Sequence, residues 1–102
     1  MGMTKTKAVK AAMKGLGPAS ARLDLAALRH DRQGYQARQL GAAEASDWHY
    51  GISEVMQKDS EKLQMIERLL SFGDVYSAAH VADRIFDKTV VPKSARKLLG
   101  IK

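Results

Sequence analysis

Between Ile52 and Leu70 one set of positions recurs at spacings of four, three, four, three and four: Ile52, Met56, Asp59, Leu63, Ile66 and Leu70. Five of the six are apolar, and the spacing is that of one face of an α-helix. Val55 and Leu69 lie alongside, and Glu54 and Lys58 form an i,i+4 pair on the flank. The spacing therefore predicts a central helix from Ser46 or Asp47, whose side chains suit an N-cap, to about Ser71. Such a helix is long beside the globular mean of about 11–12 residues.

The seam serves the core, a second copy or a foreign partner, and Asp59 discriminates among these. A lone buried carboxylate is expensive. It needs a wet gap, a basic group from another segment, or a partner that supplies the charge. In a parallel self-paired coiled coil two copies of Asp59 would meet, so the seam is expected to pack mainly on the chain's own helices.

The flanking segments also read as helical. Gly15–Pro18 is strong punctuation and separates a basic leader, a short helix or an arm over residues 1–17, from a single helical domain over 18–102. A first body helix is predicted over Ala19–Gln39, with Leu23, Leu25, Leu28, Tyr35 and Leu40 as its apolar set and a break near Gln33–Gly34. Gly41 closes it, and Gly73 ends the central helix. Asp74 is a suitable N-cap for a helix over Val75–Asp87 with Val75, Ala78, Ala79, Ala82, Ile85 and Phe86 inward. Thr89–Val91 reads as extended before Pro92, and Lys93–Leu99 as a short basic helix that Gly100 stops. No alternating strand pattern or internal repeat is present. The fold class expected is all-α: a small irregular bundle of three to four helices with a basic N-terminal arm and a short basic C-terminal helix.

Charge is unevenly placed. The net charge is +6 over 102 residues. Residues 1–23 hold five bases and no acid, residues 24–44 balance, residues 45–74 hold six acids against three bases, and residues 75–102 hold six bases against two acids. Two basic ends thus flank an acidic middle, a pattern that suits ends gripping something anionic while the centre meets protein. The residues expected on a nucleic-acid or other anionic surface are Lys5, Lys7, Lys10, Lys14, Lys93, Arg96 and Lys97. The expected protein interface or core seam is Ile52, Met56, Asp59, Leu63, Ile66 and Leu70.

Hydrophobic residues make up 45% and charged residues 27% of the chain, ordinary globular usage. With no cysteine, disulfides, thiolate ligands and thiol nucleophiles are excluded. No apolar run approaches the roughly 18–20 residues of a membrane span. The chain reads as soluble and intracellular, with a mitochondrial-type presequence as a minor reading of the basic, acid-free start.

No nucleophile elbow, phosphate loop or zinc-protease helix is present, and the two glycines of Gly15-Leu16-Gly17 lack the third glycine and preceding strand of a dinucleotide fingerprint. His80, Asp83 and Asp87 lie a turn apart but read as a solvated face with Arg84 and Lys88 as counter-charges. His30 beside Asp31 reads as a surface pair. Trp48, His49 and Tyr50 read as a helix start with Trp48 in the core, against the alternative of rings that stack on bases or cap an interface. No catalytic residue, metal site or cofactor is expected.

The expected function is non-enzymatic binding, as a small accessory or structural subunit of a larger protein or nucleoprotein assembly. Two alternatives remain: a helix-turn-helix-like DNA-binding regulator using residues 75–99, and an adaptor or inhibitor of another protein. Whether the chain pairs with itself is left open.

Overall fold

The computed structural model describes residues 2–102, with side chains described from Lys7 onward. It is an all-α bundle built on one long helical hairpin. Helix α1 spans Gly2–Gln39, α2 spans Ala43–Ser71, α3 spans Val75–Asp83, a 3-10 turn spans Lys88–Val90 and α4 spans Lys93–Arg96. Helices α1 and α2 run antiparallel, α3 packs on α2, and α4 packs on α1. The principal extents are 60 × 20 × 19 Å, so the molecule is about as long as α1 itself, at about 1.5 Å per residue.

The expected break at Gly15–Pro18 does not occur. Pro18 lies inside α1 on its exposed side, so the Lys14 carbonyl that loses its helical donor faces water. Gly15 is used for close approach instead: a Cβ there would lie 2.6 Å from Ser94 Oγ and 3.1 Å from the Pro92 ring. The expected break near Gly34 is also absent. Tyr50 lays its ring against Gly34, where a Cβ would be 3.2 Å away.

The core sits at one end of the hairpin. Ala12, Leu16, Ala19 and Leu23 of α1 meet Leu63, Ile66 and Leu70 of α2, under a cover of Ala78, Ala82, Ile85, Val91, Ala95 and Leu99. Of the apolar set expected for the first body helix only Leu23 is buried; Leu25, Leu28, Tyr35 and Leu40 are exposed. Apart from Leu16 and Leu23, the buried stripe of α1 is made of small residues, Ala12, Ala19, Ser20, Ala27 and Gly34, which let α2 approach closely. Ser20 Oγ lies 2.8 Å from Ser60 Oγ, and Gln64 Nε2 donates to both, a buried polar layer between the two helices.

Helix ends follow the glycines. At Gly41 and Gly73 φ is +78° and +77°, conformations that need no Cβ. Each heads a paired closure: Gly41 N donates to Arg38 O and Ala42 N to Ala37 O, and Gly73 N to Leu70 O and Asp74 N to Leu69 O. Helix α2 starts at Ala43, earlier than expected, and neither Ser46 nor Asp47 caps it. Ser46 is buried one turn in, and its hydroxyl has no hydrogen-bond partner.

Helix α3 ends at Asp83, four residues short of expectation. The cause is Asp59. Its carboxylate accepts from Phe86 N at 2.9 Å and Asp87 N at 3.1 Å, which commits those amides outside any helix. Phe86, expected inward, therefore projects into solvent at 79% exposure. Residues 88–90 form a 3-10 turn where an extended run was expected, because Asp87 Oδ1 accepts from Thr89 N and Oγ1. Only Val91, immediately before Pro92, is extended. Helix α4 stops at Arg96 rather than Leu99.

Candidate functional site

The lysines from the two ends of the sequence lie at one end of the hairpin. Lys7, Lys10 and Lys14 follow one stripe of α1 at spacings of three and four, and all three are exposed. Lys93 and Lys97 are exposed at the other end of the chain. The Gly15 approach seats Pro92 and Ser94 on α1, and Leu98 shares a groove with Val9, Lys10 and Met13. Segments about eighty residues apart thereby lie at the same end of the hairpin. Lys5 falls outside the described side chains.

Arg96 behaves differently from its neighbours. Its guanidinium donates to the carbonyls of Val91, Lys88 and Lys102 at 2.8–3.0 Å. The group ties the C-terminal segment together, and those donors are spent on backbone. Lys88 is likewise engaged, its Nζ donating to the Asp83 and Ile85 carbonyls that end α3.

Beside the basic stripe lies an apolar groove of about 810 Å³, walled by Val9, Met13, Leu70, Val75, Tyr76 and Leu98 with Lys10 on its rim. Tyr76 is largely exposed, as is Phe72 at the end of α2. The pole therefore offers positive charge next to apolar and aromatic surface. Asp74, at the head of α3, accepts from Ser77 N at 3.0 Å, and that hydrogen bond holds its carboxyl below the ordinary aspartate range.

The seam has a split fate. Leu63, Ile66 and Leu70 are core and inaccessible to any partner of the folded chain, whereas Ile52 and Met56 are only half-buried. Asp59 is 2% exposed and is satisfied by backbone amides, not by the wet gap, basic residue or external partner expected for it. Amides 27 and 28 residues onward in the chain carry no side-chain signature, so nothing in the local sequence announces these partners.

At its far half the hairpin is a two-helix stalk. Leu25, Leu28 and Tyr35 line the face of α1 opposite Ala27 and Gly34, all exposed. Trp48, expected in the core, is 59% exposed on α2, at the margin of the cover that Phe86 and Val90 provide. Leu23, Trp48, Ile52, Val55, Met56, Phe86 and Val90 wall a second groove of about 430 Å³ with Asp47 and Asp87 at its edge. The Glu54–Lys58 pair forms as expected, at 3.1 Å and exposed.

Among the described residues no three His, Asp or Glu side chains converge as a metal-binding group. No described helix is long and apolar enough to cross a membrane. No protein-family model, curated protein or solved structure matches the chain.

Proposed function

We propose that the protein acts by binding, as a small accessory subunit of a larger protein or nucleoprotein assembly. Its basic pole sits on an anionic surface, nucleic acid being the chemistry that best rewards clustered lysines through counterion release. Its stalk presents apolar side chains to a protein. The reading rests chiefly on exposed Lys7, Lys10, Lys14, Lys93 and Lys97, drawn from opposite ends of the chain, lying at the same end of the hairpin. Exposed Leu25, Leu28 and Trp48 on an otherwise uncovered hairpin support the protein-binding half.

A DNA-binding regulator using residues 75–99 draws less support. Helix α4 is a single turn, residues 84–92 separate it from α3, and Arg96 is engaged with backbone. Helix-turn-helix readers join their helices by a turn of about three to four residues.

The test is size exclusion with light scattering on nuclease-treated protein at low and high salt, followed by titration with duplex and single-stranded DNA. Salt-sensitive, sequence-indifferent binding that Lys10→Glu with Lys97→Glu abolishes supports the proposal. Tight binding to one selected duplex sequence would favour the regulator, and no binding to any polyanion at low salt would remove the basic pole's role.

A further inference from the structure

Near the middle of the stalk, His30 of α1 and His49 of α2 bring their Nδ1 atoms to 2.9 Å. The ring centroids are 5.2 Å apart with planes tilted by 35°, and both residues are half-buried. Trp48 meets both imidazoles edge-on, with centroids at 5.9 Å and 4.9 Å. The rings are brought together by close helix packing, since Ala27, Gly34, Ser46 and Ser53 line the buried faces on either side. They are thus held by the fold before any ligand arrives.

We propose that His30 and His49 form a bidentate site for a divalent first-row transition metal, copper(II) or nickel(II), clasping α1 to α2. Two imidazole nitrogens bound at about 2.0–2.1 Å and at right angles stand about 2.9 Å apart, whereas tetrahedral ligation separates them by about 3.3–3.4 Å. The observed separation fits the right-angled arrangement of square-planar or octahedral ions. Affinity order at a nitrogen site also places copper(II) above nickel(II) and zinc(II). With no third protein ligand among the described residues, water completes the coordination sphere. Without metal the pair is a hydrogen bond between unlike tautomers, one Nδ1–H donating to the other Nδ1 lone pair. Metal binding uses both Nδ1 lone pairs, so the ring that carried Nδ1–H takes its proton on Nε2 instead.

Trp48 is the sole tryptophan and touches both proposed ligands, so its fluorescence reports occupancy directly. The experiment titrates nickel(II), then copper(II), into the full chain. The expected result is saturable quenching at one equivalent, reversed by chelator. It is lost in His30→Asn and in His49→Asn and kept in His80→Asn, since the His80 ring meets Tyr76 edge-on instead. Quenching that survives in the His30→Asn, His49→Asn double variant overturns the proposal, as does the absence of saturable quenching in the wild type. Should the variants lose helix by circular dichroism, nuclear magnetic resonance of the wild type decides. Paramagnetic broadening by copper(II) centred on the His30 and His49 rings supports the site, and broadening centred on His80 or the chain terminus refutes it.

Discussion

At the scale of single residues, Asp59 decides more of the structure than any of its apolar neighbours. A carboxylate in a helical seam reads as a defect until its two backbone donors are found. Those bonds place the end of α3, turn Phe86 outward and start the run toward Pro92. A hydrogen bond to a charged group contributes about 1.5–3 kcal/mol and Asp59 accepts two, so Asp59→Ala is expected to destabilise the fold by about 3 kcal/mol or more in urea denaturation. Asp59→Asn should fall between, because its amide group confronts one of the two amide donors it would have to satisfy. Equal stability of wild type and Asp59→Ala would show that the loop has other means of satisfaction. Asp74 gives the pH-dependent counterpart. Its folded carboxyl is held low by the Ser77 amide, so its contribution is present above the unfolded aspartate range. That contribution is lost as pH falls through the lowered folded value. The melting-temperature advantage of wild type over Asp74→Asn should therefore be seen at neutral pH and vanish in strong acid. An advantage that persists there would mean that charge is not its source.

At the scale of elements, α1 is one helix across two features that ordinarily end helices. Pro18 costs a helix interior about 3 kcal/mol relative to alanine. Packing of Ala12 and Leu16 on one side and Ala19 and Leu23 on the other offsets it. Pro18→Ala restores the donor to the Lys14 carbonyl and is expected to raise stability by about 1–3 kcal/mol, read from the denaturation midpoint. An unchanged or lowered midpoint would argue that α1 bends at this residue in solution. Gly15 marks where α4 docks. Gly15→Val forces a branched side chain against Pro92 and Ser94 and should cost about 1–3 kcal/mol. Faster hydrogen exchange over residues 93–99 than over α2 would localise the loss to α4. The apolar periodicity of α1 misleads for a related reason: Leu25, Leu28 and Tyr35 form the more conspicuous stripe, yet α2 packs against the small residues opposite. Two faces of one helix can each look like a core face, and only the close approach of the second helix chooses between them.

At the scale of the whole molecule, one end of the hairpin is covered and basic and the other is a bare stalk. Helix α3 and the segment after it pack over one end of the hairpin. The basic pole should bind polyanions with a strong salt dependence, since each phosphate contact contributes about 0.9 to the slope of log affinity against log salt. Replacing Lys10, Lys14, Lys93 and Lys97 together by glutamine should flatten that slope by several units and leave helix content unchanged. Arg96→Gln should instead lower stability, because its guanidinium holds three carbonyls of the C-terminal segment. A flattened slope without loss of stability in Arg96→Gln would reassign that residue to the binding surface.

The chain's helical character, the two glycine turns, the Asp74 cap and the burial of Leu63, Ile66 and Leu70 were all determined by local sequence. These rest on a period of 3.6, on positive φ and on side-chain-to-backbone reach, each confined to a few neighbouring residues. Tertiary structure alone decided the continuity of α1 through Pro18, the choice of its small-residue face, the seating of Asp59 on the amides of Phe86 and Asp87, and the meeting of His30 with His49. Each depends on which surface arrives from a distant part of the chain. Backbone amides and the bare faces of glycine and alanine have no pattern by which a sequence can announce them as partners.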